Sequence, residues 1–430
     1  MALEIAVEIV RDPSRGFTGI PRQTGEAQSA PPRGFLPQLR VIISSGSDGL
    51  RIKVNAPKPE APWDRVWHSA RLTVSEQQLQ ARGNRLRDFW RDRLVRYENP
   101  DGDEDGRAGS FPLAETADLN DYAHVTDPIT ARLARDGHAL LRSMLAGDDA
   151  DLQRVREFLM SALAGPSPMR VSFDSCVHLP WSMLAVDPER CVKPWEAFLG
   201  HRHEVEHGDD DGWHHAPLGR RDRAATSLNK DTALDSVGRA AEVHRLLDDH
   251  TWLVVRTQSD ELLQALSRHI LDEDVMYFWC HGHYVDVGMG AGGPGHGLSV
   301  CLSDGEHIDG TMVFERREGI PRTPHSRFRP FVLLNACHTG RGAPPGALRN
   351  LGERLREMGA DGVLAPQIEI PQVFATEYAY AFLELYLTGE QTAGEISRRL
   401  VGDFAEKYHN PLALAYALHC GIDSRLELDS

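Results

Sequence analysis

The sequence predicts an α/β fold in which a mostly parallel sheet carries helices on both faces. Short apolar runs, among them 275–279 (VMYFW) and 331–334 (FVLL), are rich in β-branched and aromatic residues and end at polar or small residues. Such runs are typical of central strands that are buried on both faces. After residue 165, helical patterns alternate with these runs, as in strand–helix–strand units.

The first 165 residues predict an α+β accessory region in front of this alternation. A Gly-Pro-Ser-Pro segment at 165–168 marks the boundary, so we expect domains at 1–165 and 166–430. In the first domain, the turn-forming segment 45–49 (SGSDG) joins two strand-like runs. The predicted strands are 3–10, 39–44 and 50–54, and the predicted helices are 75–97, 128–145 and 149–163.

The second domain contains the alternation itself. Crossovers between neighbouring parallel strands are right-handed in nearly all proteins, which leaves few topologies. The predicted strands are 169–173, 252–256, 275–279, 331–334 and 361–365, and the predicted helices are 240–247, 259–270, 348–358, 373–387 and 394–407.

The composition is that of an ordinary globular protein. The 430 residues are enough for a sizeable core, and 41% hydrophobic with 26% charged residues is usual. The net charge of −16 argues against nonspecific binding of nucleic acid. Because no apolar stretch has membrane-spanning length and no signal segment is recognisable, we expect a cytoplasmic protein without a membrane partner. The 6 cysteines lack paired spacing, which fits reduced thiols.

An imidazole and a thiol follow two of the predicted central strands. His281 comes shortly after the run 275–279, and Cys337 comes shortly after 331–334. Because catalytic groups gather at the carboxyl ends of strands in open α/β sheets, neighbouring strands would bring these two residues together. A thiol is mostly protonated at neutral pH and needs a nearby base to act as a nucleophile. A buried structural cysteine and a core histidine are the alternative interpretation.

The segments around both residues resemble the CHAT-domain proteases, which are relatives of caspases and separase. The resemblance rests on His-Gly at 281–282 and on Ala-Cys-x-Thr-Gly at 336–340. His281 and Cys337 are 56 positions apart (337 minus 281), close to the caspase-type spacing of about 50. Three further segments agree in order: 179–184 (LPWSML), with Ser182 where the family has Glu, 302–305 (LSDG) and 359–364 (GADGVL).

This resemblance implies a caspase-like sheet and a cysteine endopeptidase that uses no cofactor, no metal and no third acid. It implies Cys337 as the nucleophile and His281 as the general base and acid. The backbone N–H groups of Gly282 and Cys337 would form the oxyanion site, where one donor is typically worth about 3 kcal/mol. His283 is a lesser alternative to His281, because alternate residues of a strand share a face. Cys280 is expected to face away into the core.

The preference for the residue before the cleaved bond (P1) is the least determined feature. Relatives that cut after arginine carry a carboxylate in the S1 pocket, near the end of the strand after the nucleophile. The matching segment of this sequence holds Glu369 and Glu377, and Asp174 stands at the end of an earlier predicted strand. A carboxylate there would pair with a basic P1 side chain. Solvated acids are the alternative, so a small or hydrophobic P1 residue stays open.

Two arginine-rich segments are candidates for activating cleavage. Segment 201–223 is rich in His, Asp and Arg, and we expect a disordered polar loop in which Arg220 and Arg221 are accessible to a protease. A zinc site there is conceivable, although the spacing matches no metal motif. Arg316 and Arg317 belong to a second such stretch, before the nucleophile strand.

A glycine-rich segment at 288–297 invites comparison with phosphate-binding loops. It lacks the Gly-Lys-Ser/Thr sequence that such a loop needs. We therefore expect a flexible loop beside the active site.

Together these observations predict a cysteine endopeptidase that cleaves a protein partner and is switched on by another protein or by a protease. Prokaryotic relatives often serve in antiphage defence, including CRISPR-associated systems, so the resemblance implies the same role here. Two alternatives stay open. One is a non-catalytic CHAT scaffold that binds partners, and the other is a thiol hydrolase that acts on other acyl groups.

Overall fold

The computed structural model describes residues 38–58, 61–98, 111–208, 222–290, 293–317, 319–320, 328–338 and 347–428. Side chains are described for all of these except 58, 61–64, 283–290, 293–298, 337–338, 347–350 and 353. The described residues belong to one compact unit.

The described chain alternates strands and helices. The strands are β1 (Leu39–Gly46), β2 (Gly49–Lys58), β3 (Ala61–Arg71), β4 (Arg170–Ser175), β5 (Glu204–Gly208), β6 (Ala224–Lys230), β7 (Thr251–Arg256), β8 (Val275–Gly290), β9 (Gly293–Cys301), β10 (His307–Asp309), β11 (Phe331–His338), β12 (Gly362–Pro366) and β13 (Tyr416–His419). The α-helices are α1 (Glu76–Trp90), α2 (Ala123–Met144), α3 (Ala150–Leu163), α4 (Leu199–Arg202), α5 (Ala240–His250), α6 (Ser259–Leu266), α7 (Gly310–Arg317), α8 (Ala347–Glu357), α9 (Gln372–Tyr386) and α10 (Ala393–Tyr408).

All of these strands join one sheet with two oppositely directed halves. In one half, β7, β6, β8, β11 and β12 lie side by side and run parallel. In the other half, β13, β5, β4 and β1 run parallel to one another, and β13 pairs antiparallel with β12. The hairpin strands β2, β3, β9 and β10 are antiparallel additions. This sheet confirms the predicted α/β class.

The reversal between β12 and β13 decides which strand ends share an edge of the sheet. Pro366 pairs with Tyr416 at one edge, and Val363 pairs with His419 toward the other. The carboxyl ends of β6, β11 and β12 therefore share an edge with the amino ends of β13, β5 and β4. A residue at the carboxyl end of β4 lies at the opposite edge from the end of β11.

Helices cover both faces of the sheet around β8 and β11. On one face, Val275, Tyr277 and Trp279 pack in an apolar cluster with residues of α5, α9 and α10. On the other face, Met276 and Cys280 pack in a second cluster with residues of α6, α7 and α8. Because alternate side chains of a strand point to opposite faces, burial on both faces explains the unbroken apolar run of β8.

The first three strands extend the same sheet. β1 pairs parallel with β4, and the β1–β2 hairpin closes with Gly46 opposite Gly49, where the sequence predicts a turn. β3 is a further strand that the sequence analysis did not predict. The sheet thus includes strands from both sides of residue 165, and the division into domains 1–165 and 166–430 stays a prediction.

Local side-chain caps begin several helices. At α1, the side chain of Ser75 accepts a hydrogen bond from the Gln78 N–H, and the Gln78 side chain accepts one from the Ser75 N–H. Thr392 and Glu395 form the same reciprocal pair at α10. Such capping boxes satisfy N–H groups that the first helical turn leaves without partners. None of the helices in the described ranges is both long and apolar enough to span a membrane.

Two segments that the sequence analysis interprets as loops form regular structure instead. The prediction of a disordered polar loop at 201–223 is wrong for its first part, because α4 ends at Arg202 and Glu204–Gly208 is β5. β5 is held between β4 and β13, which are distant in sequence. The glycine-rich segment is likewise a strand at 288–290 and 293–297, where Gly290 pairs with Gly293.

Candidate active site

Neighbouring strands bring the two predicted catalytic residues into register. β8 and β11 pair in parallel, with Cys337 opposite His281 and His338 opposite Gly282. Paired positions of adjacent strands belong to the same face of a sheet, and the strands lie about 5 Å apart. The fold thus places His281 and Cys337 side by side where β11 ends.

An aspartate that the sequence analysis does not name lies next to His281. Asp231 follows β6 directly, and its Oδ2 is 3.5 Å from Nε2 of His281. The Asp231 side chain is 14% exposed and that of His281 is 25% exposed, so water screens their interaction only in part. The resemblance implies a dyad without a third acid, whereas the structure supplies a carboxylate at the imidazole.

The turn that carries Asp231 is held in place by several hydrogen bonds. The backbone N–H of Asp231 donates to the Trp279 carbonyl at 2.9 Å, and its Oδ1 accepts from the Ala233 N–H at 3.0 Å. The indole N–H of Trp279 donates to the Leu234 carbonyl at 3.2 Å. The Thr232 N–H donates to Oγ of Ser303 at 2.9 Å. These bonds tie the turn after β6 to β8 and to the segment after β9.

A second cysteine flanks His281 on its other side. β9 pairs antiparallel with β8, and Cys301 lies opposite His281. Burial raises the pKa of the Cys301 thiol, and the negative charges of Asp231, Asp304 and Glu306 raise it further. A thiol that stays protonated is a poor nucleophile. Cys301 is therefore unsuited to the role that we predict for Cys337.

A buried amide anchors β11 just before Cys337. Asn335 is fully buried, its Nδ2 donates to the Ala375 carbonyl at 2.9 Å, and its Oδ1 accepts from the Tyr416 hydroxyl at 2.7 Å. These contacts connect β11 to α9 and β13. Sequence reasoning missed this residue because its partners lie 40 and 81 positions away.

The oxyanion prediction concerns Gly282, which follows His281 in β8 between β9 and β11. Gly282 is buried next to His281 and lies opposite His338 in β11. The role of the Gly282 and Cys337 N–H groups stays a prediction. Cys280, on the other side of His281, is fully buried in the cluster on the opposite face, as the alternation of the strand predicts.

The three carboxylates that we considered for the S1 pocket lie in different places. Asp174 is in β4, at the edge opposite the end of β11 and beyond β12, β13 and β5, and its Oδ2 is 3.2 Å from Nη2 of Arg40. The fold does not bring Asp174 to His281, because β4 belongs to the half of the sheet that runs the other way. A pocket that contains both residues is therefore not formed.

The other two candidates also have arginine partners. Glu369 follows β12 at the edge where β11 ends, and its Oε2 is 2.7 Å from Nη2 of Arg96. Glu377 is in α9, with Oε2 3.5 Å from Nη1 of Arg239. A basic P1 side chain would have to compete with these arginines for the carboxylates.

The candidate cleavage sites differ in accessibility. Arg220 and Arg221 lie outside the described residues. Arg316 is exposed in the last turn of α7, whereas the Arg317 side chain is buried and donates to the carbonyls of Leu266 at 2.8 Å and Arg268 at 2.9 Å. The prediction of an accessible loop is wrong at Arg317, because a protease must bind an extended chain with an available P1 side chain.

His203, a described histidine of segment 201–223, is held by hydrogen bonds to the backbone. Nε2–H of the buried His203 donates to the Leu163 carbonyl at 2.8 Å, and its Nδ1 accepts from the Met169 N–H at 3.3 Å. Burial lowers the pKa of His203 to about 4. In the part of the chain that the structure describes, no group of three or more His, Cys, Asp or Glu residues is arranged to hold a metal ion. His214 and His215 lie outside the described residues.

Comparison with known protein sequences gives one partial likeness. No family model matches the chain. A curated protein of Vitiosangium sp., which is named a probable protease, is 28% identical over 163 residues. The match covers 37% of this chain and 19% of that protein. The chain is therefore similar to about a fifth of the relative's length.

Comparison with solved structures matches two crystal structures of the Saccharomyces cerevisiae separase–securin complex. Their TM-scores are 0.46 and 0.45, with 9% sequence identity in each case. Each match covers 89% of this chain and 30% of the matched chain.

Proposed function

We propose that this chain is a cysteine endopeptidase of the CHAT type, in which His281 and Cys337 form the catalytic pair. The register of β8 and β11, with Cys337 opposite His281, is the observation that carries the proposal. An imidazole and a thiol side by side at the edge of an α/β sheet are the minimum equipment for nucleophilic catalysis by cysteine. The similarity to a protein named a probable protease supports the same class.

The proposed reaction has two halves. His281 accepts the proton of the Cys337 thiol, and the thiolate attacks the carbonyl carbon of the scissile peptide bond. The N–H groups of Gly282 and Cys337 donate to the oxyanion that forms. His281 then protonates the leaving amine as the C–N bond breaks, which leaves an acyl-enzyme. Water attacks this thioester with His281 as base, which releases the carboxylic acid and regenerates the thiol.

For specificity we propose a basic P1 residue that binds to Glu369. This residue is favoured over Asp174 because it follows β12, the strand beside β11, at the edge where β11 ends. The ion pair with Arg96 is 2.7 Å long and partly exposed, so a substrate arginine or lysine can exchange with it. Glu377 is the second candidate for the same contact.

We further propose that another protein, or cleavage after Arg220, Arg221 or Arg316, activates the enzyme toward its protein substrate. An antiphage role, as in the CHAT relatives, belongs to this part of the proposal. N-terminal sequencing of the activated protein tests it. Full activity of the intact, unaccompanied chain would contradict it.

A peptide library tests the catalytic proposal. Wild-type protein, Cys337→Ala and His281→Gln are incubated with fluorogenic peptides that vary at P1, with and without brief trypsin treatment. Cys301→Ser is the matched control, because it removes the thiol on the other side of His281. We expect turnover by wild type and Cys301→Ser, and loss of at least about 10³-fold in the other two variants.

The same variants separate the endopeptidase from its alternatives. A thiol hydrolase of another kind would cleave ester or thioester substrates and leave every peptide intact. A scaffold would leave all substrates intact and would not be labelled at Cys337 by a peptidyl chloromethyl ketone. Labelling of Cys337 that requires His281 would support the proposed catalytic pair even if no peptide substrate has been found.

A further inference from the structure

We infer that Asp231 is a positioning residue that holds the imidazole of His281 in its reactive tautomer and orientation. The inference rests on the proposed function, since it assigns a partner to the proposed base. It extends the catalytic pair to three residues, one directly after β6, one on β8 and one on β11. Neither the pattern of the sequence nor the resemblance indicates it.

The contact is an electrostatic one between a fixed carboxylate and the imidazole ring. Oδ2 of Asp231 is 3.5 Å from Nε2 of His281, and both side chains are largely shielded from water. The other oxygen, Oδ1, accepts the Ala233 N–H at 3.0 Å, which fixes the rotation of the carboxylate. The backbone bond from Asp231 to Trp279 fixes the residue against the strand that carries His281. The carboxylate is therefore preorganised toward the ring.

This arrangement has a chemical consequence. In neutral imidazole one nitrogen carries the proton and the other is the base, and the hydrogen-bond partner decides which is which. The negative charge of the carboxylate beside Nε2 favours the tautomer with the proton on that nitrogen, which leaves Nδ1 of His281 as the basic nitrogen that takes the thiol proton. The same negative charge stabilises the imidazolium that this transfer creates. Asp231 thus acts on catalysis through His281 without touching the substrate.

The alternative is a purely structural role, in which Asp231 only caps the short turn after β6. A cap requires one carboxylate oxygen, and Oδ1 supplies it. Capping does not explain why Oδ2 lies at the imidazole. The neighbouring cation, Lys230, is neutralised by both oxygens of Asp235 at 2.7 and 2.8 Å, so the charge of that residue is matched within the same turn.

The test compares variants that separate charge from capping. Asp231→Asn keeps the size and the cap acceptor but removes the charge, and Asp231→Ser keeps a cap acceptor but cannot reach His281. Asp231→Glu is the conservative rescue. Asp235→Asn is the matched control, because it removes a carboxylate from the same turn at a site that pairs with Lys230. Melting temperatures of all variants report on folding.

Two quantities are measured as a function of pH. One is kcat/KM, and the other is the rate at which iodoacetamide alkylates Cys337. For Asp231→Asn and Asp231→Ser we expect kcat to fall about 10²- to 10⁴-fold with KM nearly unchanged, and partial recovery in Asp231→Glu. We also expect the pH profiles of both readouts to differ from those of the wild type, because the two variants remove a negative charge next to His281. Asp235→Asn should change kcat/KM and the rate of Cys337 alkylation much less.

The outcomes keep this inference apart from the proposed function. If Cys337 alkylation depends on His281 and shifts in Asp231→Asn, the inference stands even where no peptide is cleaved. If alkylation depends on His281 but both readouts of folded Asp231→Asn match wild type, Asp231 is only a cap and the inference is wrong. If alkylation is indifferent to His281→Gln, the catalytic pair itself fails. Should Asp231→Asn melt early, folded Asp231→Ser decides by the same two readouts.

Discussion

Tyr416 and Asn335 join two strands that run in opposite directions on either side of β12. The Tyr416 hydroxyl donates to Oδ1 of Asn335 at 2.7 Å, two residues before Cys337. The Tyr416 ring stacks on Tyr378 of α9 at a centroid distance of 3.8 Å. One side chain of β13 therefore helps to fix the position of the strand that carries the proposed nucleophile.

Tyr416→Phe should destabilise the protein by about 1–3 kcal/mol, because it leaves the buried Oδ1 of Asn335 without this donor while the stacked ring remains. It should also lower kcat/KM, since β11 loses a contact near Cys337. Urea unfolding and peptide hydrolysis measure the two effects. Tyr380→Phe is the matched control, because its hydroxyl donates to Glu384 at the surface at 3.3 Å. Equal stabilities of the two variants would contradict the prediction.

The two thiols beside His281 should react at different rates. The pKa of Cys301 is raised by burial and then by nearby carboxylates, so this thiol stays protonated at neutral pH. We expect iodoacetamide to modify Cys337 at least about tenfold faster than Cys301, and Cys301→Ser to keep wild-type turnover. Mass spectrometry of tryptic peptides follows both sites. Faster modification of Cys301 would mean that the nucleophile is assigned to the wrong strand.

How much of this site the sequence predicts depends on the kind of residue that each strand buries. β8 and β11 bury apolar residues on both faces, so their pattern is visible and it places His281 and Cys337 correctly at neighbouring strands. β6 buries Thr226, Ser227 and Asn229, which local patterning interprets as loop residues. Their burial depends on hydrogen bonds to partners distant in sequence, and a local pattern cannot reveal those.

Asp231 escapes sequence reasoning for the same reason. Its approach to His281 follows from the pairing of β6 with β8, where Lys230 lies opposite Trp279. The only local signal is an aspartate followed by Thr232 after a run of mixed polarity, which indicates a turn or a helix cap. β5 is a similar case, because its sequence, EVEHG, contains two acids and a histidine yet forms a strand between β4 and β13.

Two histidines at the edge of the sheet opposite the end of β11 should make stability depend on pH in the acid range. His207 of β5 and His419 of β13 have ring centroids 4.7 Å apart. Burial lowers the pKa of His419 to about 4 and that of His207 well below its usual value. Below about pH 6.5 the unfolded chain binds a proton on each of these two histidines, whereas the folded chain does not. The contribution of these two groups to stability is therefore constant above this pH and falls toward about pH 4, by about 1.4 kcal/mol per pH unit for each group.

Urea unfolding at about pH 7 and about pH 5 measures this slope. In His419→Gln, the loss of stability between the two pH values should be smaller by about 1–2 kcal/mol, because one of the groups is gone. The same pH dependence in wild type and variant would show that His419 takes up its proton in the folded state.

Glu206 should act in the opposite sense. It is buried in β5, and burial raises its pKa to about 7, although its Oε2 accepts the Ile422 N–H at 3.0 Å. Because the folded pKa lies above the unfolded value, the group costs stability as pH rises from about 4.5 to about 7. Glu206→Gln keeps an acceptor and should stabilise the protein by about 1–3 kcal/mol at pH 8, with no gain below about pH 4.5. A variant less stable than wild type at pH 8 would contradict this.

Native protein should resist trypsin at the bond after Arg317. The Arg317 guanidinium donates to two carbonyls, lies 5.0 Å from the centre of the Phe328 ring, and has lost most of its contact with water. Trypsin must take this side chain into its own pocket, so cleavage requires α7 to open first. Arg190, whose side chain is 82% exposed, is the comparison site.

Time-resolved digestion with N-terminal sequencing of the fragments measures this resistance. We expect no early fragment that begins directly after Arg317 from native protein, and rapid appearance of that fragment once urea has unfolded the chain. If activating cleavage occurs in this part of the protein, it therefore falls after the exposed Arg316 or follows an opening that a partner induces. An early native fragment that begins after Arg317 would mean that α7 opens spontaneously, and cleavage there would then need no activating partner.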